Sequence, residues 1–85
     1  MAHPNPTEPP YLVAEVRSEG QTIASLEHRL AFLRERGVAV TLLIEPNQRW
    51  VTVHEGERSW RAEAGETVTI ETLDGFAFAV DELFA

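Results

Sequence analysis

A carboxylate set among apolar neighbours is the strongest chemical signal in this 85-residue chain. Glu15 lies inside Leu12-Val13-Ala14-Glu15-Val16, a run that suits a β-strand covered on both faces. An ionised carboxylate in such a place loses much of its hydration and needs a partner. Three roles are open to it. It could be the acid of a metal site, a structural residue salt-bridged to Arg29 or Arg17, or a charge on an edge strand. Pairing with arginine is physically reasonable because charge-assisted hydrogen bonds offset burial.

The other reactive side chains form no comparable pattern. The chain has no cysteine, which excludes disulfides, thiolate zinc sites and thiol nucleophiles. His3, His28 and His54 fall on an arm, a helix and a strand without metal-ligand spacing, and read as arm, surface or core histidines. Ser18, Ser25 and Ser59 lack the setting of an activated nucleophile, so capping and surface roles are expected. No glycine-rich phosphate loop is present. Trp50 and Trp60 beside Arg49, Arg58 and Arg61 offer base-stacking chemistry in principle. Glu55, Glu57 and Glu63 surround them, and a cross-strand lattice of aromatics and ion pairs is the expectation.

Charge narrows the function classes. All seven cations are arginines and the formal net charge is −7. Residues 1–37 carry five Glu against four Arg, whereas residues 38–85 carry nine acids against three Arg. Proteins that hold nucleic acid non-specifically need a basic face, because phosphate neutralisation supplies their affinity. This balance argues against such binding by the chain alone. No apolar run approaches the roughly 20 residues of a membrane span. Met1-Ala-His-Pro-Asn-Pro-Thr-Glu-Pro-Pro10 has neither the basic start nor the apolar core of a signal peptide. A soluble, cytoplasmic protein without membrane contact is expected.

The elements that must position Glu15 follow from the periodicity. Residues 1–10 hold four of the five prolines and read as a flexible arm. Residues 11–85 make one small domain. A strand over about 11–17 leads to a helix over 22–36, with Ile23, Leu26, Leu30 and Leu33 on one stripe and Phe32 beside it. Thr22 is placed to cap its start, Arg34 and Arg36 suit its last turn, and Gly37 suits the left-handed position after it. Val38–Glu45 is an apolar run of strand length. Pro46-Asn47 then turns the chain into a strand over 49–54. Glu55-Gly56 leads to a strand over 57–62, Ala64-Gly65-Glu66 to one over 67–71, and Asp74-Gly75 to one starting at Phe76. The end, Val80-Asp81-Glu82-Leu83-Phe84, reads as one helical turn. The fold class is α+β: a small mixed or antiparallel sheet with one main amphipathic helix.

These pieces, in this order, resemble the C-terminal half of the Uma-two family, described as putative restriction endonucleases of the restriction-endonuclease-like superfamily. The resemblance rests on Glu15-Val16 with Ser18, on Arg29 within the helix, and on Gly37-Val38. Glu45-Pro46 stands where the family has Asp-Pro, and Leu73-Asp74-Gly75-Phe76 where it has Leu-Pro-Gly-Phe. The closing turn Asp81-Glu82-Leu83-Phe84 matches as well, so the likeness covers about residues 10–84. It implies a DNA endonuclease in which an Asp and a Glu hold Mg²⁺ and a lysine orients the attacking water.

Glu15 matches the family's Glu. Arg29, or Arg17 if Glu15-Val16-Arg17 is read as Glu-x-Lys, stands where the lysine belongs. Arginine keeps the charge but does not give up a proton. The family's Asp lies upstream of this strand, and no Asp precedes residue 74. The resemblance therefore implies a truncated, degenerate nuclease-like domain, inactive as an isolated chain. Glu15, Arg29 and Arg17 are its relic site residues, and Glu15 is the single metal-ligand candidate. No cofactor is expected, or Mg²⁺ if activity remains. DNA enters as a partner only by family analogy. The competing expectation is a non-catalytic, acidic protein-interaction module. A homodimer or protein complex is expected through an uncovered sheet edge at 11–17 or through the Ile23-Leu26-Leu30-Leu33 side of the helix.

Overall fold

Thr22 opens the only α-helix among the described residues, α1 (Ile23–Glu35), by accepting a hydrogen bond from the Ser25 amide at 3.1 Å. The helix ends in a two-bond reversal, with Gly37 N–H donating to Arg34 C=O and Val38 N–H to Leu33 C=O. Gly37 has φ +105°, and a Cβ built there would stand 3.2 Å from the Pro9 side chain. Both the left-handed backbone and the close approach of Pro9 require glycine. The computed structural model describes residues 8–84. Of the arm expected over 1–10, residues 1–7 lie outside the described residues, and 8–10 carry no regular structure.

Helix α1 connects strand β1 (Leu12–Val16) to strand β2 (Val40–Glu45), which lie parallel, with Glu15 opposite Leu43. This is a β-α-β unit, whose crossover needs a helix to return the chain to the same end of the sheet. Strands β3 (Trp50–Glu55) and β4 (Arg58–Glu63) then add antiparallel, giving the order β1-β2-β3-β4. The β3–β4 turn is Gly56-Glu57, with a left-handed φ at Gly56 alone, as a two-residue hairpin with glycine first requires. Strands β5 (Thr67–Ile70) and β6 (Phe76–Ala79) form a separate hairpin, broken by a 3-10 turn at Glu71–Leu73 and followed by another at Val80–Phe84. The α+β class read from the sequence is the observed one.

The sheet separates two apolar layers. On one side Leu26 and Leu30 pack on Leu43 and Trp50, with Val13, Ile23 and Leu33 at the margin. On the other, Val68, Ile70 and Val80 of the hairpin region cover Val40, Leu42, Ile44, Val51 and Val53. Strand alternation explains both: successive residues of β2 and β3 face opposite layers.

Two expectations are corrected. The 11–17 strand is not covered on both faces: β1 pairs only with β2, and Val16 is 52% exposed. On the hairpin side Leu12 packs at the margin of the core, while Ala14 and Val16 further along the strand are exposed. The helix stripe is not a contact surface either, because Leu26 and Leu30 are buried under α1. Phe32 lies off the stripe and exposed, with the Arg36 guanidinium 4.9 Å from its ring centre.

Candidate functional site

Val13, Glu15 and Arg17 alternate onto the helix-side face of β1, and Thr41, Leu43 and Glu45 onto that of β2. Glu15 is therefore directed toward α1, where Arg29 lies one turn before the half-buried Leu33. The Arg29 Nε lies 3.3 Å from Glu15 Oε1. Glu15 keeps 23% of its side chain in solvent and Arg29 keeps 63%, so the pair sits at the open rim of the layer. Glu15 is thus both an edge-strand charge and an ion-paired residue.

Arg17 does not join Glu15. Its Nε donates to Glu45 Oε1, and its Nη1 donates to the Gln21 carbonyl at 3.3 Å. The pairing follows from register. Val16 stands opposite Ile44, so Arg17 and Glu45 are the next neighbours across the two parallel strands. Glu45 Oε2 accepts the Gln48 amide at 2.7 Å, which closes the Pro46-Asn47 turn. That amide and the Arg17 guanidinium hold the Glu45 carboxyl below its usual range, against the opposing effect of burial. Of the three sequence-derived site residues, Glu15 and Arg29 come together and Arg17 belongs to a separate pair.

Sequence reasoning named Glu55 only as one acid of the lattice around the tryptophans, and it is the most fully bonded acid among the described residues. It is 4% exposed, accepts both the amide and the hydroxyl of Thr72 at 2.8 and 2.7 Å, and meets Arg58 at 3.3 Å. Arg58 also reaches Glu71 at 3.1 Å. The Thr72 bonds hold the Glu55 carboxyl below its usual range, with Arg58 a lesser cause. Glu55 ties the 3-10 turn of the hairpin to the sheet. Its ion pair with a neighbouring arginine was legible in the sequence, but its bonds to Thr72 were not, because that partner lies far along the chain.

The aromatic lattice forms as expected, but on two faces. Arg61 lies 3.8 Å from the Trp50 ring centre on the helix side, and Arg58 lies 4.6 Å from Trp60 on the hairpin side. Two rings on opposite faces do not form one stacking platform. His54 is half-buried beside Arg34, and burial first and that cation second push its imidazole down. Thr41 next to it is occupied by Arg34 Nη1 at 2.7 Å. Thr52 Oγ1, in the same row as Glu15 and Leu43, is buried without a hydrogen-bond partner.

The donor set does not fit the Mg²⁺ that the family resemblance implies. A hard dication takes several oxygen ligands and commonly two carboxylates. Both oxygens of Glu45 are engaged, Glu15 faces an arginine, and the described residues contain no cluster of three His, Cys, Asp or Glu able to hold a metal.

A β-α-β unit extended by antiparallel strands, with one glutamate at the helix-side rim, defines a nuclease-like α+β domain. Its backbone superposes with a TM-score of 0.77 on the crystal structure of a putative nuclease of the DUF820 group from Anabaena variabilis, at 18% identity. The match covers 89% of this chain and 44% of that one, so the chain spans less than half the length of the protein it resembles. At that identity the likeness establishes the fold. The family model described as "putative restriction endonuclease" matches residues 2–81, and the chain belongs to this Uma2 (Uma-two) family. No curated protein matches the sequence. Among the described residues no helix is long and apolar enough to cross a membrane.

Proposed function

We propose that this chain is a degenerate restriction-endonuclease-like domain that does not cleave DNA by itself. One observation carries the reading: each acid on the helix side of β1 and β2 is answered by an arginine, Glu15 by Arg29 and Glu45 by Arg17. A hydrolytic site needs carboxylates free to hold a cation, and a cationic side chain able to tune the attacking water. Here the arginines neutralise the carboxylates, and arginine does not exchange a proton near neutral pH. Glu15, Arg29 and Arg17 are then relic positions, with Glu15 the residue closest to its ancestral chemistry. The family makes DNA the substrate class of that ancestral activity. The test is supercoiled plasmid incubated with Mg²⁺ and the purified chain. The plasmid is expected to stay supercoiled, and nicking that disappears in Glu15→Gln would overturn the proposal.

A second reading, a non-catalytic interaction module, draws on a different observation. Among the described residues no strand pairs with the outer edge of β1, and Tyr11 and Val16 beside it are 46% and 52% exposed. Unpaired edges template association. A cytoplasmic chain of this acidity would use that edge to bind a second copy or another protein. Capture of a second chain that competes with β1 pairing supports this reading.

A further inference from the structure

A second polar cluster lies on the helix side of the sheet, away from Glu15. Alternation turns Trp50, Thr52 and His54 of β3 toward α1, and His54 stands opposite Thr41 of β2. Thr41 is fully buried, and its hydroxyl accepts from Arg34 Nη1 at 2.7 Å. That bond ties the last turn of α1 to the sheet. Glu27 lies two helical turns before Arg34 on the same stripe, and both act on the half-buried imidazole.

The groups around His54 come from three elements. Helix α1 supplies the cation Arg34 and the acid Glu27. Strand β2 presents the uncharged Thr41. From β4, Ser59 stands directly opposite, and the diagonal positions hold Glu57, in the turn, and Arg61, both exposed. Arg61 is drawn away onto the Trp50 ring, 3.8 Å from its centre. Arg34 is therefore the cation that a hydrogen bond holds at the strand partner of His54. We propose that His54 is a pH-sensitive release for helix α1: its protonation sets a second cation beside Arg34, breaks the Arg34–Thr41 bond and loosens the last turn of the helix from the sheet.

A neutral imidazole tolerates the neighbouring guanidinium, whereas an imidazolium in a half-buried layer repels it. Arg34 is the group that gives way, because its long side chain keeps part of its surface in solvent. The Thr41 hydroxyl is then left buried without its donor, which weakens the hold of the sheet on the helix. Glu27 offers the imidazolium a partner and so favours the released arrangement. Burial and Arg34 push the His54 imidazole below the ordinary histidine value of about 6.5. The unfolded chain therefore takes up this proton first. The stabilisation is complete above about pH 6.5 and is lost as pH falls toward the folded value. That window opens above the range in which Glu45 and Glu55 titrate.

The test compares the whole chain at about pH 7.5 and about pH 5, which bracket histidine and stay above the carboxylate range. At the lower pH the urea midpoint is expected to fall. Amide-exchange protection should drop more at Gly37 and Val38, which bond to the Arg34 and Leu33 carbonyls, than at Leu30 in mid-helix. His54→Gln should hold both readouts near their neutral-pH values, although His3 and His28 remain. Arg34→Met keeps the aliphatic stem without the charge. It should be less stable at about pH 7.5 and respond less to acid. A midpoint fall undiminished in His54→Gln would remove His54 as the cause, and one undiminished in Arg34→Met would remove Arg34; either overturns the proposal. Wild-type protection that drops evenly along α1, or not at all, overturns the release whether or not the variants fold.

Discussion

Arg17 donates to Glu45 on the neighbouring strand and not to Glu15, two residues before it on the same face. The contact divides the acids of the helix side into two pairs of different character. Glu45 is 3% exposed and held from two directions, by Arg17 and by the Gln48 amide. Glu15 sits at the rim with a mostly solvated partner in Arg29. Removing one arginine therefore has a different consequence from removing the other.

Arg29→Ala should cost about 1 kcal/mol or less in urea unfolding, because an exposed ion pair gains little over its hydrated parts. Arg17→Ala should lower the urea midpoint further, since it leaves a buried carboxylate with one amide donor. Adding Glu45→Ala to Arg17→Ala should recover part of that loss. Equal losses for the two arginine variants would show that burial does not separate the pairs.

Acid should loosen both faces of the sheet. Glu45 on the helix side and Glu55 on the hairpin side both have carboxyl pKa values lowered in the folded chain. A lowered folded value means the stabilisation is complete above the unfolded value and is lost as pH falls through the folded one. The loss should therefore fall below about pH 4, under the ordinary glutamate range near 4.3. Glu55→Gln should be less stable at neutral pH and should show a shallower acid limb, because the group that titrates is gone. An acid limb as steep as wild type would remove Glu55 as a cause.

The helix ends should respond as their geometry requires. Thr22→Ala should cost about 1 kcal/mol through loss of the bond to Ser25. Gly37→Ala should cost about 1–3 kcal/mol, because alanine is strained at this φ and its Cβ meets Pro9. Thermal unfolding followed at the helix signal measures both. A neutral Gly37→Ala would contradict the packing of Pro9 against the helix end.

The helix was legible because its signals are local: a threonine at one end, a glycine at the other, and leucines at helical spacing between them. The order of strands was legible for the same reason, since turns at Pro46-Asn47, Glu55-Gly56 and Asp74-Gly75 punctuate apolar runs. What failed was tertiary. An apolar strand reads alike at the centre of a sheet or at its edge, so β1 seemed covered where Val16 is open. Glu15 and Arg29 could be paired from sequence because one strand and one helix connect them. Arg17 could not be assigned between Glu15 and Glu45 without the parallel register, and Glu55 depends on Thr72 in a turn of another layer.

The central claim is that Glu15 is satisfied by Arg29 and is not the ligand of a catalytic metal. Mn²⁺ can stand in for Mg²⁺ at oxygen sites, and its paramagnetism broadens nearby amide resonances. Titrated into the labelled chain, it should broaden signals diffusely over the acidic residues 38–85, without preference for Glu15, Val16 and Arg29. Selective broadening at those three residues at low Mn²⁺, abolished by Glu15→Gln, would contradict the account.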